Sequence, residues 1–171
     1  NEYNCGRLSI EQHLGSGQDL ARLEGPDFDG YVAGSNNRLD RAFLQYFYQH
    51  EGYYNLEEVA LTFGKVTSNS PATAEASLVL YDENTRTGKP GSEIYRQAFT
   101  LAEAQAAIDA GEPLVVSLPQ SVQMPQSFFA GFDIKDLAST DTLAMPISTG
   151  SSTVGQESYL QDFQANWVTF A

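Results

Sequence analysis

The segment from residue 76 to residue 135 constrains the fold of this chain more than any other part. Short apolar runs alternate there with turn residues, as in ASLVLYDENTRTGKPGSEIYRQAF and PLVVSLPQSVQMPQSFFAGFDIK. Strand-forming runs separated by turns that contain Gly and Pro are typical of antiparallel sandwiches. The pattern therefore predicts an all-β fold, a two-sheet antiparallel β-sandwich of the jelly-roll type, built as one domain over residues 1–171.

One helical segment interrupts the strand pattern. Thr100 and Glu103 have the spacing of a capping box, in which each residue satisfies a backbone N–H of the other. Gly111 then supplies a residue that tolerates the left-handed conformation at a helix end. We therefore expect one short helix near residues 101–110.

Four other segments have clear patterns. Residues 41–49, RAFLQYFYQ, are rich in aromatic residues and predict a strand covered on both faces. Residues 82–92 are polar and rich in Gly and Pro, so we expect a long connection there. Residues 159–170 predict a single last strand. Residues 1–26 are broken by Gly and Pro and are expected to form an N-terminal arm.

The charge balance excludes two classes of partner. Nine Lys and Arg residues stand against 22 Asp and Glu residues, a net charge of −13. Nucleic acids and anionic membrane surfaces both require a basic face, so neither is an expected partner. No run of about 18 apolar residues is present, so we expect no membrane insertion.

Two further features bear on the compartment. The chain begins at Asn1 rather than Met, which fits a processed mature domain, secreted or held at the cell surface. Cys5 is the only cysteine, so no disulfide can form within the chain. Three roles stay open for Cys5: a buried apolar side chain, a free thiol, or a link to another chain.

Catalytic motifs are weak, so we predict that the protein is not an enzyme. His13 and His50 are the only histidines, and neither has a second His or Cys at metal-ligand spacing. Neither a nucleophile elbow nor a phosphate-binding glycine loop is present in the sequence. Acidic pairs such as Glu57 and Glu58 leave one catalytic alternative, a polysaccharide-active hydrolase that uses two carboxylates.

Calcium is the one cofactor that the sequence suggests, the alternative being no cofactor at all. Asp27, Asp29 and Asp40 flank a loop at residues 34–37 that is rich in Gly and Asn. Carboxylate and amide oxygens supplied by loops are the ligands that hard cations prefer. The alternative role for these residues is ordinary turn chemistry.

Aromatic and amide side chains in or near loops suggest a saccharide site. Aromatic rings bury the apolar faces of sugars, and amides bind their hydroxyls. Trp167 is the only Trp, and it has core packing as its alternative role. The predicted ligand-binding residues are Tyr31, Asn36, Asn37, Tyr53, Tyr54 and Trp167.

The order of motifs along the chain is similar to that of one group of domains. GYVAGSNN at 30–37 is followed by DRA at 40–42, GKPG at 88–91 and FFAG at 128–131. This order resembles an accessory β-sandwich domain of secreted, type IX secretion-associated cell-surface proteins of Bacteroidota. The resemblance implies an extracellular module within a larger protein, and it carries over no catalytic residues.

Three functions follow from these observations. The first is a non-catalytic extracellular β-sandwich module that binds glycans or a cell-surface protein. The second is a structural or self-assembling surface subunit, in which the arm at residues 1–26 adds a strand to a neighbouring copy. The third is the polysaccharide-active hydrolase.

Overall fold

The computed structural model describes residues 18–48, 54–148 and 158–170, and antiparallel strands dominate them. One α-helix, α1 (Leu101–Ala110), lies between the eighth and ninth strands, as its sequence predicted. The strands in chain order are β1 (Gln18–Asp19), β2 (Arg22–Leu23), β3 (Gly30–Tyr31), β4 (Ala42–Tyr48), β5 (Tyr54–Leu61), β6 (Lys65–Thr67), β7 (Glu75–Asn84), β8 (Lys89–Thr100), β9 (Leu114–Met124), β10 (Ser127–Asp133), β11 (Thr142–Ala144), β12 (Ile147–Ser148), β13 (Ser158–Gln161) and β14 (Trp167–Phe170).

The largest layer is a six-stranded antiparallel sheet in the order β14-β13-β4-β10-β7-β8. Strand β10, SFFAGFD, lies near its centre, and all but its first residue are buried. A strand that is apolar on both faces belongs in the middle of a covered sheet, because each face must pack against something. The aromatic strand β4, which the sequence predicted to be a strand, lies beside β10.

The main core lies between one face of this sheet and a second layer. Strands β5, β9 and β11 and helix α1 all contribute buried residues to that core. At its centre the ring of Phe132 stacks on Phe43 and meets Phe63 edge-on, both at a centroid distance of 5.2 Å. The all-β, sandwich-like prediction is confirmed, although the second layer consists of small two-stranded sheets and a helix rather than one continuous sheet.

Two predicted segments differ from the structure. Residues 82–92 are mostly strand, since β7 and β8 pair as far as Asn84 and Lys89. Residues 159–170 form two strands, because the side chain of Asp162 accepts the backbone N–H groups of Gln164 and Asn166 and closes a turn between β13 and β14. The sequence reading missed this Asp-centred turn.

The predicted N-terminal arm covered residues 1–26. Its described part pairs with the rest of the fold, β1 with β12 and β2 with β3. Residues 1–17, which include Cys5, lie outside the described residues.

The second face of the six-stranded sheet is partly covered by the β13–β14 hairpin. Strands β14 and β7 are four positions apart in the sheet order, which corresponds to about 19 Å in a flat sheet. Nevertheless the Trp167 ring meets the Tyr81 ring edge-on at 5.2 Å, and the Trp167 carbonyl accepts a hydrogen bond from Lys89 Nζ at 3.3 Å. The hairpin therefore curls over this face, where Phe129 and Tyr159 are buried.

The capping box of α1 gives a first prediction. The Glu103 N–H donates to Thr100 Oγ1 at 3.2 Å, and Glu103 Oε2 accepts the Thr100 N–H at 2.7 Å. We expect Thr100→Ala to lower the free energy of unfolding by about 1 kcal/mol, because it leaves a helix N–H without its partner. Urea denaturation measures the change, and the exposed Thr62→Ala is the matched control, expected within about 0.5 kcal/mol of wild type. Equal losses of unfolding free energy in Thr100→Ala and Thr62→Ala would contradict a stabilising role for the capping box.

Candidate functional site

The Asn36 side chain organises the loop between β3 and β4. Asn36 Nδ2 donates hydrogen bonds to the carbonyls of Tyr31 and Gly34, at 3.3 and 3.1 Å, and to Asp40 Oδ2 at 3.0 Å. Its Oδ1 accepts the backbone N–H of Arg38 at 3.1 Å. Asn36 was predicted to contact a ligand, but in the structure its amide is used to shape the loop.

This loop presents an apolar side chain to solvent. Leu39 has a φ of 58°, in the left-handed region that leucine rarely adopts. Its backbone N–H donates to the Asn36 carbonyl at 3.3 Å, which closes the turn at this position. The Leu39 side chain is 64% exposed. Unfavourable backbone geometry that directs an apolar group outward is often found where proteins bind something.

The turn between β13 and β14 presents a second apolar side chain. Asp162 Oδ1 accepts the N–H groups of Gln164 and Asn166 at 2.9 and 2.8 Å, and Asp162 Oδ2 accepts from Asn166 Nδ2 at 3.1 Å. These bonds, the Asn166 N–H first among them, hold the pKa of the Asp162 carboxyl below its usual value. The ring of the next residue, Phe163, is 53% exposed.

The two loops meet because β4 and β13 are neighbours in the sheet. The Arg41 N–H donates to the Gln161 carbonyl at 2.7 Å and fixes the loops side by side. Between them lies an open hollow of about 350 Å³, which we call the loop depression. It is lined by Asn37, Arg38, Leu39, Asp40, Asp162 and Phe163.

The charges of the loop depression are unevenly paired. Arg38 Nε lies 4.0 Å from Asp40 Oδ2, and the Arg38 charge also helps to lower the pKa of Asp162. The single guanidinium of Arg38 therefore interacts electrostatically with the carboxylates of both Asp40 and Asp162. The Asp40 side chain is 1% exposed, and among the described residues its Oδ1 has no hydrogen-bond partner. A buried carboxylate oxygen without a donor is unfavourable, so this atom is suited to receive a donor from elsewhere.

The predicted ligand-binding residues do not form one site. Asn37 lines the loop depression, whereas Tyr31 lies on β3 and pairs with Arg22. Trp167 packs on the sheet face against Tyr81. Tyr54 begins β5 in a different sheet, and Tyr53 lies outside the described residues.

The three aspartates of the predicted calcium site have different surroundings. Asp29 forms an ion pair with Arg22 at 3.2 Å, Asp40 faces Arg38, and Asp27 is exposed. Within the part of the chain that the structure describes, no three Asp, Glu, His or Cys residues are placed to hold a metal ion. Calcium binding stays a prediction, and a nearby guanidinium such as that of Arg38 disfavours a cation at Asp40.

Sequence reasoning missed most of the loop depression. Phe163 was assigned to the last strand, and Asp162 was not singled out. The signal that was available is DFQAN at 162–166, an Asp followed four residues later by Asn between two apolar runs. That spacing is typical of a side-chain-closed turn, which leaves the intervening residues exposed.

A second polar cluster, on the sheet face, is internally paired. Arg96 Nη2 lies 2.8 Å from Glu93 Oε2 and 2.7 Å from Asp133 Oδ2, and the Tyr81 hydroxyl donates to Glu93 Oε2 at 3.1 Å. Arg96 lowers the pKa of Glu93, while burial and then the Glu93 charge raise the pKa of Tyr81 to about 12. Each of these groups therefore has a partner within the cluster.

Comparison with known proteins identifies no relative. No family model matches the chain, and neither the curated proteins nor the solved structures include a match. The resemblance to the Bacteroidota accessory domains therefore stays a prediction. Among the described residues, no helix is both long and apolar enough to cross a membrane.

Proposed function

We propose that this domain is a non-catalytic extracellular module that binds glycans at the loop depression. The observation that carries the proposal is the exposed Phe163 ring in the same hollow that Arg38 and Asn37 line. Sugars present apolar C–H faces to aromatic rings and hydroxyls to amides, guanidinium groups and carboxylates. The loop depression holds all of these groups within one hollow.

The exposed apolar surface around the hollow supports a binding role. Leu39 and Phe163 lie on different loops, yet both line the same hollow and are more than half exposed. Leaving large apolar side chains in water forfeits the free energy that burial would provide. Grouping two of them at one concave site is a typical feature of a surface that a ligand covers.

The contacts of the two carboxylates support binding rather than hydrolysis. A glycosidase requires one carboxylic acid that stays protonated, with a raised pKa. Asp162 accepts three hydrogen bonds and has a lowered pKa, so it stays ionised at neutral pH. Asp40 is bound by Asn36 Nδ2 and faces Arg38, an arrangement suited to a fixed acceptor.

Removing the Phe163 ring tests the site. We expect Phe163→Ala to weaken glycan binding about tenfold, because the ring is the main apolar contact available to a sugar. A glycan array probed with and without calcium identifies the ligand, and isothermal titration calorimetry then measures its affinity for each variant. Phe163→Tyr keeps a ring and is expected to retain binding.

The matched control is Val115→Ala, which removes a side chain of similar exposure (52%) from β9, outside the loop depression. An array without a hit under either calcium condition would contradict the proposed function. Binding that survives Phe163→Ala unchanged would place the site elsewhere on the domain.

A further inference from the structure

We infer that the loop depression selects uncharged sugars through their hydroxyl donors and discriminates against uronic acids and sulfated sugars. The inference rests on the proposed function and adds the class of ligand. It follows from the numbers of donors, acceptors and charges that the lining residues present.

The hollow has a surplus of acceptors. Asp40 Oδ2 already has Asn36 and Arg38 as neighbours, while Asp40 Oδ1 has no hydrogen-bond partner among the described residues. Because the Arg38 guanidinium already lies 4.0 Å from Asp40 Oδ2, the missing element is a hydrogen-bond donor rather than a cation. A sugar hydroxyl supplies such a donor, and the new bond would satisfy a buried oxygen that is costly to leave without a partner.

Asp40 Oδ1 is shielded from water by the surrounding protein. A ligand hydroxyl therefore reaches this atom only if neighbouring atoms move. Leu39 is the neighbouring residue and, at 64% exposure, the least packed large apolar side chain of the hollow. A sugar hydroxyl that reaches Asp40 Oδ1 gains a hydrogen bond sheltered from solvent. Sheltered bonds are electrostatically stronger than those made in bulk water.

The charge of the hollow disfavours anions. Its two carboxylates, Asp40 and Asp162, outnumber its single guanidinium, Arg38, and the whole chain carries a net charge of −13. A ligand carboxylate placed about 4 Å from one unbalanced charge is disfavoured about fivefold even at the dielectric constant of water. The volume of about 350 Å³ is near the lower end of small-molecule sites, which suits one or two sugar rings.

The test compares sugars that differ only in charge. Oligosaccharides that end in glucose or galactose are titrated beside the same chains that end in the corresponding uronic acid. We expect the neutral member of each pair to bind at least about fivefold more tightly, with the ratio shrinking as salt is added because salt screens the repulsion. A uronic acid that binds as well as its neutral partner overturns the inference, while the proposed function survives.

Two variants assign the selectivity to residues. Asp162→Asn removes one negative charge but keeps an oxygen for the turn, so we expect the neutral-to-uronic ratio to fall toward one. Asp40→Asn replaces one carboxylate oxygen with an NH₂ group, which donates rather than accepts. We expect it to lower the affinity for neutral sugars about tenfold. Thermal melting confirms that each variant is folded.

The sugar pairs measured on wild type and Asp162→Asn keep the inference testable even if Asp40→Asn does not fold. An unchanged neutral-to-uronic ratio in folded Asp162→Asn overturns it. If no sugar of either charge binds wild type, the proposed function itself fails.

Discussion

Phe132→Ala is expected to lower the free energy of unfolding by about 3–5 kcal/mol. The ring is completely buried on β10, stacked on Phe43 and edge-on to Phe63, so its removal empties the centre of the main core. The free energy of unfolding of a domain of this size is commonly about 5–15 kcal/mol, so this one change is expected to remove a large part of it. Urea denaturation followed by far-ultraviolet circular dichroism measures the loss.

Two companion variants make the result specific. Val115→Ala removes an apolar side chain that is 52% exposed, and we expect it to change stability by no more than about 0.5 kcal/mol. Phe132→Leu fills part of the space and should fall between wild type and Phe132→Ala. A loss below about 1 kcal/mol for Phe132→Ala would mean that Phe132 does not lie between two packed layers.

The sequence predicted those elements whose signals are local. Helix α1 was predicted from Thr100, Glu103 and Gly111, because a cap depends on residues a few positions apart. The region around Pro90 was mistaken for a loop because Pro usually interrupts strands. In the structure Pro90 lies on β8, at the edge of the sheet, where the missing N–H interrupts no pairing with a further strand.

The loop depression could not be predicted from local sequence patterns, because its two halves are far apart in the chain. Asn37 was recognised as part of a Gly- and Asn-rich loop and Asp40 as a residue flanking it, but Asp162 and Phe163 join them only through the pairing of β4 with β13. That register is set by long-range packing. The positive φ of Leu39 could not be predicted from the sequence either, because leucine has no preference for the left-handed region.

Trp167→Ala is expected to lower glycan affinity strongly, because Trp167 holds the curled β13–β14 hairpin against the sheet. Phe163 and Asp162 lie in the turn of this hairpin, and the Trp167 ring fixes the hairpin to the sheet through the Tyr81 ring. The bond from Lys89 Nζ to the Trp167 carbonyl is a backbone contact that the variant keeps. Without the indole ring we expect the hairpin to loosen while the main core stays folded, because Trp167 is not part of that core. Ordering two turn residues again on binding costs about 1–2 kcal/mol each, so we expect glycan affinity to fall about a hundredfold.

Hydrogen exchange separates loosening of the hairpin from general unfolding. In Trp167→Ala, amides of residues 158–170 should exchange faster while those of β7 and β10 keep their wild-type protection. Trp167→Phe retains a ring against Tyr81 and is expected to recover most of the binding. If Trp167→Ala binds glycans as wild type does, or if β10 loses protection together with the hairpin, Trp167 does not act by positioning the turn. The loss of affinity is expected even though Trp167 lies outside the loop depression, because the ring fixes the hairpin whose turn presents Phe163.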